Sequence, residues 1–464
     1  MAAQLSAGRA ERGGGVNARA IVLAAGKGTR MKSARPKVLH ELCGRSMLWW
    51  VLEALRTAGV DDVVVVTSPE LDPLLAPLGV RTVIQPQQLG TGHAVRIALD
   101  AMEPRDGCVL VAYGDMPLVD AALFEDVQAA VDRDAGTALA LVTAQMPLPS
   151  TFGRIVRRGD AVERIVEAKD CTPEQLATDE MNAGIYAFAE AALREVIAGV
   201  GNRNAQGEFY LTDAVELLVA AGRRVVPVPG ADYRTVLGVN DRVELAEARA
   251  LLNRRLCEEH MRAGVTIVDP ATTYLEPGLV IEPDVTILPA TWIYGRTRIG
   301  AGTTIGAHCR IGNAVIGSRC DIRESVVTST RLGDDVRVGP FAHLRDGNVI
   351  GDRVRIGNFV EFKKSEIGDD VKANHLAYIG DASVGARTNY GAGTITCNFD
   401  GVSKNRTEIG ADVFVGTNNS LVAPLTLGDG AMTGAGAVVI HDVEPGGKVV
   451  GNPARAIAQK PTEA

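Results

Sequence analysis

Apolar positions along this chain change their spacing twice. From Arg19 to about Val239, short uninterrupted apolar runs alternate with segments whose apolar residues recur at helical intervals. The runs are Ala20–Ala25, Asp62–Thr67, Gly107–Ala112 and Ala138–Thr143, and Met47–Ala58 and His93–Met102 are two of the helical segments. Strands apolar on both faces, alternating with helices, predict a mostly parallel, Rossmann-like α/β sheet covered on both sides. Asp241–Met261 then sets Val243, Ala246, Ala250 and Leu252–Leu256 at roughly helical spacing against Glu and Arg. With Asp241 to cap it and Gly264 past its end, this segment predicts a helix joining two domains.

From Ile299 the period becomes six. Aliphatic–Gly pairs stand at 299–300, 305–306, 311–312, 332–333, 338–339, 350–351, 356–357, 409–410, 415–416 and 427–428. Neither an α-helix nor an ordinary strand repeats this way, whereas a triangular solenoid does, with the aliphatic side chain inside and Gly easing the corner turn. The hexads stop between Thr394 and Ile409, which predicts a projecting loop. The expected organisation is an extension (1–18), a nucleotide-binding domain (19–240), a linking helix (241–262) and a β-helix with a tail (263–464).

Composition narrows the function classes. A net charge of -8 spread along the chain argues against nucleic acid as a partner. No apolar run reaches the ~20 residues that a spanning helix needs, so no membrane role is expected. The first 18 residues lack the apolar core of a secretory leader. Seven scattered cysteines without a CxxC predict reduced thiols and a cytoplasmic location. Aromatic residues at 4% beside 51 glycines suit a solenoid that excludes large rings.

Two groups of residues carry chemistry. After the first strand, Gly26 and Gly28 would let backbone N–H groups approach an anion, and Arg30 and Lys37 add positive charge beside it. The string is not a Walker A loop, and Met31 stands where a dinucleotide fingerprint needs its third Gly. On the solenoid, Arg345 and Lys363 lie one turn of roughly eighteen residues apart, and two stacked cations call for an anion between them. Lys404 is a third cation in this region. His375 suits a general base that takes a proton from an attacking amine, with Glu361 as a possible orienter. His308, His343 and His441 are read as structural, and His93 as packing or capping at a helix start.

The string Leu23–Met31 with Pro36-Lys37 resembles the sugar-1-phosphate nucleotidyltransferases. So do Gln85 with Leu89–His93, Tyr113–Pro117, Phe152–Ile155, Val166–Lys169, Asn182–Gly184 and Gly238–Asn240. That resemblance implies that Leu23, Ala24, Ala25, Gly26, Lys37, Gln85, Gly90, Thr91 and Tyr113 bind UTP. It puts Gly153, Glu167 and Asn182 on the sugar, and Asp115 and Asn240 on Mg²⁺. Together with Gly339–Arg345, Asn358–Lys363, Asn374–Tyr378, Thr388–Gly393 and Cys397–Asp400, the whole chain resembles the bacterial bifunctional uridyltransferase/acetyltransferases. By that resemblance the β-helix is left-handed, Arg345, Lys363, Tyr378, Asn389 and Lys404 hold glucosamine-1-phosphate, and Asn398 serves the oxyanion or acetyl-CoA. Ala392, Phe399, Thr417, Ala435 and Arg455 match an acetyl-CoA groove, with Phe399 where Tyr is usual and Thr417 where Ser is commoner. The resemblance further implies a homotrimer that acetylates glucosamine-1-phosphate with acetyl-CoA and then transfers a uridylyl group from UTP to the N-acetylglucosamine-1-phosphate so formed, giving UDP-N-acetylglucosamine for peptidoglycan and lipopolysaccharide. The competing reading keeps nucleotidyl transfer and makes the β-helix only an oligomerisation or regulatory scaffold.

Overall fold

A computed structural model describes residues 18–230 and 232–457; the expected N-terminal extension up to residue 17 and the last seven residues lie outside it. The chain divides into two compact units, 1–249 and 250–464. The first is built on the strands β1 (Arg19–Leu23), β2 (Asp62–Thr67), β3 (Arg81–Ile84), β4 (Cys108–Tyr113), β5 (Thr137–Gln145), β6 (Glu180–Ala189) and β7 (Arg224–Pro229). Their order is β7-β5-β6-β4-β1-β2-β3, parallel throughout except for β6, which runs against both neighbours. Both faces are covered, which is why β1 carries no polar alternation. Ala20 and Val22 face one core with helix α1 (Met47–Thr57), while Ile21 and Leu23 face the other with helix α2 (Thr91–Asp100). The loops after β1, β2 and β4 therefore open at one carboxyl edge, where α/β sheets bind ligands.

Helix α3 (Arg242–Arg262) follows, and the two units meet within it, between Arg249 and Ala250. In the second unit, buried Asn253 closes the first rung of the solenoid: its Nδ2 donates to the Thr273 carbonyl at 2.7 Å and its Oδ1 accepts from Leu275 N. Above it, strands of two to four residues form three sheets, parallel up to an antiparallel final strand, and as far as Val438–Val439 each strand pairs with the strand three places on. This is the left-handed parallel β-helix expected from the hexads. One inward column runs Ile287, Ile305, Ile322, Val338, Ile356, Ala373, Tyr390, Val415.

The hexad glycines differ in one respect from the sequence reading. Gly333, Gly351, Gly357, Gly368 and Gly410 do not adopt positive φ; the corner does so two residues later, at Asp335, Arg353, Phe359, Asp370 and Asp412. What these glycines supply is closeness. A Cβ on Gly357 would lie 1.9 Å from the Asn374 carbonyl oxygen, and one on Gly351 would lie 2.3 Å from an Asp369 oxygen. The corner aspartates use that closeness to satisfy turn amides: Asp352 accepts from Asp334 N, and Asp369 from Asp352 N, at 2.8 and 2.9 Å. The projecting loop is also shorter than expected, because Ile395–Cys397 and Thr407–Ile409 remain rung strands and only 398–406 leave the prism.

Gly357→Ala is therefore expected to destabilise the second unit by about 2–3 kcal/mol, since the obstacle is backbone that cannot yield. Thermal melting of the variant checks this, and an unchanged midpoint would mean that the rungs can separate at no cost.

Candidate functional sites

The carboxyl edge of the first sheet holds a cavity of about 1040 Å³. Leu23, Ala24, Ala25, Gly26, Lys37, Gln85, Gly90, Thr91, Tyr113 and Asp115 all line it, so nine expected nucleotide residues and one expected metal ligand come together. Gly28 has φ 58°, and a Cβ there would sit 2.5 Å from Lys37 Cβ, so the glycine is what lets the lysine stem cross the loop. Lys37 Nζ then lies 2.5 Å from Asp115 Oδ2 and 2.7 Å from Asn240 Oδ1. Carboxylate and amide oxygens thus converge on one point that already accepts a positive charge, and hard oxygen donors of this kind suit Mg²⁺.

Gly90 has φ 112° and packs so tightly on Phe209 that a Cβ would meet its carbonyl oxygen at 2.5 Å. Gly92 N donates to that same carbonyl, Phe209 N to the Leu89 carbonyl, and Leu211 N to Thr91 Oγ1. The 85–93 segment is thereby stitched to the 204–211 segment. Gln85 is nearly buried; its Nε2 donates to the Gly90 carbonyl at 3.2 Å and lies 3.0 Å from His93 Nδ1. His93 is thus no helix cap, and its ring lies beside Phe209.

The three sugar candidates also meet. Gly153 O accepts from Asn182 N, and a Cβ on Gly153 would be 3.5 Å from Glu167 Oε2. Glu167 accepts from Thr212 Oγ1, and burial pushes its carboxyl upward. Asp213 beside it rises to about 6, through burial first and then Glu216 and Asp170. The Asn182 amide turns inward, with Nδ2 on Tyr186 OH and Oδ1 on Gly184 N, so it shapes the bulge in β6. Arg30, by contrast, stays exposed on the turn Thr29–Met31 and does not line the cavity. Sequence reasoning missed Gln88, whose Nε2 donates to the Ala25 carbonyl, and Glu208 on the cavity wall. A run of polar residues from Gln85 to Gln88 after a strand was the available signal.

On the β-helix, Arg345 and Lys363 do stack in register. Their repulsion is relieved differently from the expectation, because Arg345 is already paired with Glu361 at 2.6 Å and with Asp346 at 2.8 Å. Glu361 is accordingly not the partner of His375. It sits on the neighbouring sheet, in register with His343 and Tyr378, whereas His375 follows Asn358. His375 is exposed at a strand end, with its carbonyl accepting from Gly393 N. Tyr378 lies flat across Gly380, where a Cβ would be 2.3 Å from its hydroxyl oxygen. That pose brings Tyr378 OH within 3.3 Å of Asn398 Nδ2, which also donates to Asp381 at 2.5 Å. Asp381 was not foreseen; the signal was an acidic residue at a left-handed corner (φ 51°). Lys404 and Phe399 pair across the projecting loop, the ammonium 4.7 Å from the ring centroid.

Ala392, Thr417 and Ala435 form one column: Asn418 N donates to the Ala392 carbonyl and Gly436 N to the Thr417 carbonyl. Beside them Gly391, Gly416 and Gly434 make a strip without side chains, each too close to the next rung for a Cβ. Above it, Arg455 pairs with Val450 in the final antiparallel strands. Asn389 faces outward one rung above Lys372.

A MobA-like NTP transferase domain matches residues 20–200, and a GMPPB C-terminal domain matches residues 275–367. Whole-length relatives are named Bifunctional protein GlmU. That of Trichlorobacter lovleyi is 45% identical over 432 residues, covering 92% of this chain and 94% of the relative. That of Lactococcus lactis subsp. cremoris is 48% identical over 435 residues with the same coverage. That of Halalkalibacterium halodurans is 44% identical over 427 residues, covering 91% and 94%. The chain belongs to the GlmU family. Among the described residues no helix is long and apolar enough to cross a membrane, and Cys108, Cys171, Cys257, Cys309, Cys320 and Cys397 are free thiols.

In this GlmU chain Gly380 makes a test of the second site. Gly380→Ala should lift the Tyr378 ring and weaken glucosamine-1-phosphate binding roughly tenfold or more, since displacements of about 1 Å at such sites are costly. Calorimetric titration with the sugar phosphate measures it, and an unchanged affinity would remove Tyr378 from that site.

Proposed function

We propose that the chain makes UDP-N-acetylglucosamine, acetylating glucosamine-1-phosphate on the β-helix and transferring a uridylyl group in the first unit. One observation supports the reading: in a single chain, a cavity at the sheet edge is lined by Lys37, Gln85, Gly90, Thr91, Tyr113 and Asp115, and on the β-helix Arg345 stacks on Lys363 while Tyr378 reaches Asn398. A scaffold would need neither the exposed His375 nor the Tyr378–Asn398–Asp381 cluster.

In the first unit the sugar phosphate oxygen attacks the α-phosphorus of UTP, the bond to the bridging oxygen breaks, and pyrophosphate leaves. No protein nucleophile is needed, so the residues position and neutralise. Lys37 supplies charge against the phosphates, while Gly153, Glu167 and Asn182 shape the sugar pocket. Asp115 and Asn240 would hold Mg²⁺, which when bound neutralises phosphate charge. In the second unit the sugar amine attacks the acetyl-CoA thioester carbonyl as His375 takes the amine proton, and the CoA thiolate leaves. Asn398 serves the developing oxyanion or acetyl-CoA, its amide giving up Tyr378 OH to do so. Arg345, Lys363 and Lys404 bind the phosphate, with Arg345 turning from Glu361 towards it, and Asn389 and Tyr378 hold the sugar. The glycine strip beside Ala392, Thr417 and Ala435, with Phe399 and Arg455 at its margins, receives acetyl-CoA.

A homotrimer in the cytoplasm completes the reading. Phe341 and Phe359 stack 5.5 Å apart at successive corners, and exposed Leu376 continues the column beside His375. Large apolar side chains held outward at positive φ suit a subunit contact.

His375→Ala should abolish amine-dependent thiol release from acetyl-CoA and leave uridylyl transfer intact, while Asp115→Ala should do the reverse. A folded His375→Ala chain that loses both activities, or neither, would overturn the two-site assignment. For the trimer, Phe341→Lys with Phe359→Lys should sediment as monomer; a mass three times the chain's would exclude that column from the contact.

A further inference from the structure

A glutamine side chain reads a base only if its two ends are told apart. Its carbonyl accepts and its amide donates, so a rotation of 180° reverses the code. Uracil presents an N3–H donor beside the O4 acceptor, and cytosine presents the opposite pair, an N3 acceptor beside an N4 amine. The deciding question at the first site is therefore what stops the Gln85 amide from turning over.

Both protons of Gln85 Nε2 have acceptors: the Gly90 carbonyl at 3.2 Å and His93 Nδ1 at 3.0 Å. The Gly90 carbonyl also accepts from Ala94 N. A neutral imidazole carries one N–H, and with that proton on Nε2 the ring leaves Nδ1 as the acceptor for the Gln85 amide, whose other proton the Gly90 carbonyl takes. Burial and Arg96 both favour the neutral ring. Turned over, Gln85 would set its carbonyl oxygen against the Gly90 oxygen and the Nδ1 lone pair, at a residue only 3% exposed. Two buried acceptors facing one another are costly, so one orientation survives. In that orientation Gln85 Oε1 takes no hydrogen bond from the described residues, and neither is Gly90 N–H given to any. The pair offers an acceptor beside a donor, the complement of uracil N3–H and O4.

We propose that His93 sets the nucleobase specificity of the first site, by locking the Gln85 amide in the orientation that accepts uracil and refuses cytosine. The inference rests on the reading that Gln85 and Gly90 hold the base. His93 is a positioning residue that acts through Gln85 without touching the nucleotide.

The test compares kcat/KM for UTP and for CTP, with N-acetylglucosamine-1-phosphate as acceptor. His93→Leu removes the acceptor, and His93→Asn puts an amide oxygen near the place of Nδ1. His93→Leu should reduce the UTP:CTP ratio by roughly tenfold or more, the worth of one directional hydrogen bond, and His93→Asn should keep most of it. If His93→Leu lowers both substrates equally, the ring only packs on Phe209 and the inference is wrong. His93→Met, read by the same ratio, replaces the leucine variant should that one not fold. Gln85→Ala separates the two levels. A collapsed ratio in Gln85→Ala with an unchanged ratio in His93→Leu overturns the lock and keeps the base site; an unchanged ratio in both places the base elsewhere.

Discussion

The spacing between successive rungs of the β-helix governs the second half of this molecule. Parallel strands lie about 4.8 Å apart, and at the hexad glycines that distance leaves no room for a Cβ between one turn and the next. Once the rungs are fixed, residues one turn apart must stack, and each column acquires a single chemistry. Ile299, Ile316, Leu332, Ile350 and Ile367 fill an inner column, while corner aspartates accept turn amides from the rung before. Gly391, Gly416 and Gly434 leave a bare strip. The second site is the place where these columns meet, and its precision is borrowed from the lattice.

The first site obtains precision by other means. Its residues come from loops after four strands and from the distant 204–211 segment, so no single repeat distance holds them. Glycine serves there too, for a different reason: Gly28 and Gly90 take positive φ and let a lysine stem and a backbone carbonyl pass at contact distance. What a lattice supplies on one unit, tight crossings and shared hydrogen bonds supply on the other.

This difference explains what the sequence revealed. Period six is visible in one dimension, so the solenoid and the stacking of Arg345 on Lys363 could be read from spacing alone. The four main strands and the helices at Met47 and Thr91 were equally legible, because both sheet faces are buried and the apolar runs are uninterrupted. Glu361 pairs with Arg345 and not with His375 because the two candidates lie on different faces of the prism, and a linear repeat does not say which faces adjoin at a corner. The true corner residues also escaped notice. Phe341, Phe359 and Leu376 share φ near 50–60°, yet no residue type marks them, since the closed rungs on either side impose the conformation. His93 was hidden for a related reason: its partner is eight residues away across a strand-to-helix turn, and only the fold brings Nδ1 to Gln85.

Neutralisation of Arg345 by Glu361 bears on how the second site handles its substrate. An unpaired Arg345 beside Lys363 would be a standing repulsion, whereas a pair with each side chain about one-third exposed stays wet and is cheap to break. In the proposed reading, an arriving phosphate would take the place of Glu361 on Arg345 without a large cost.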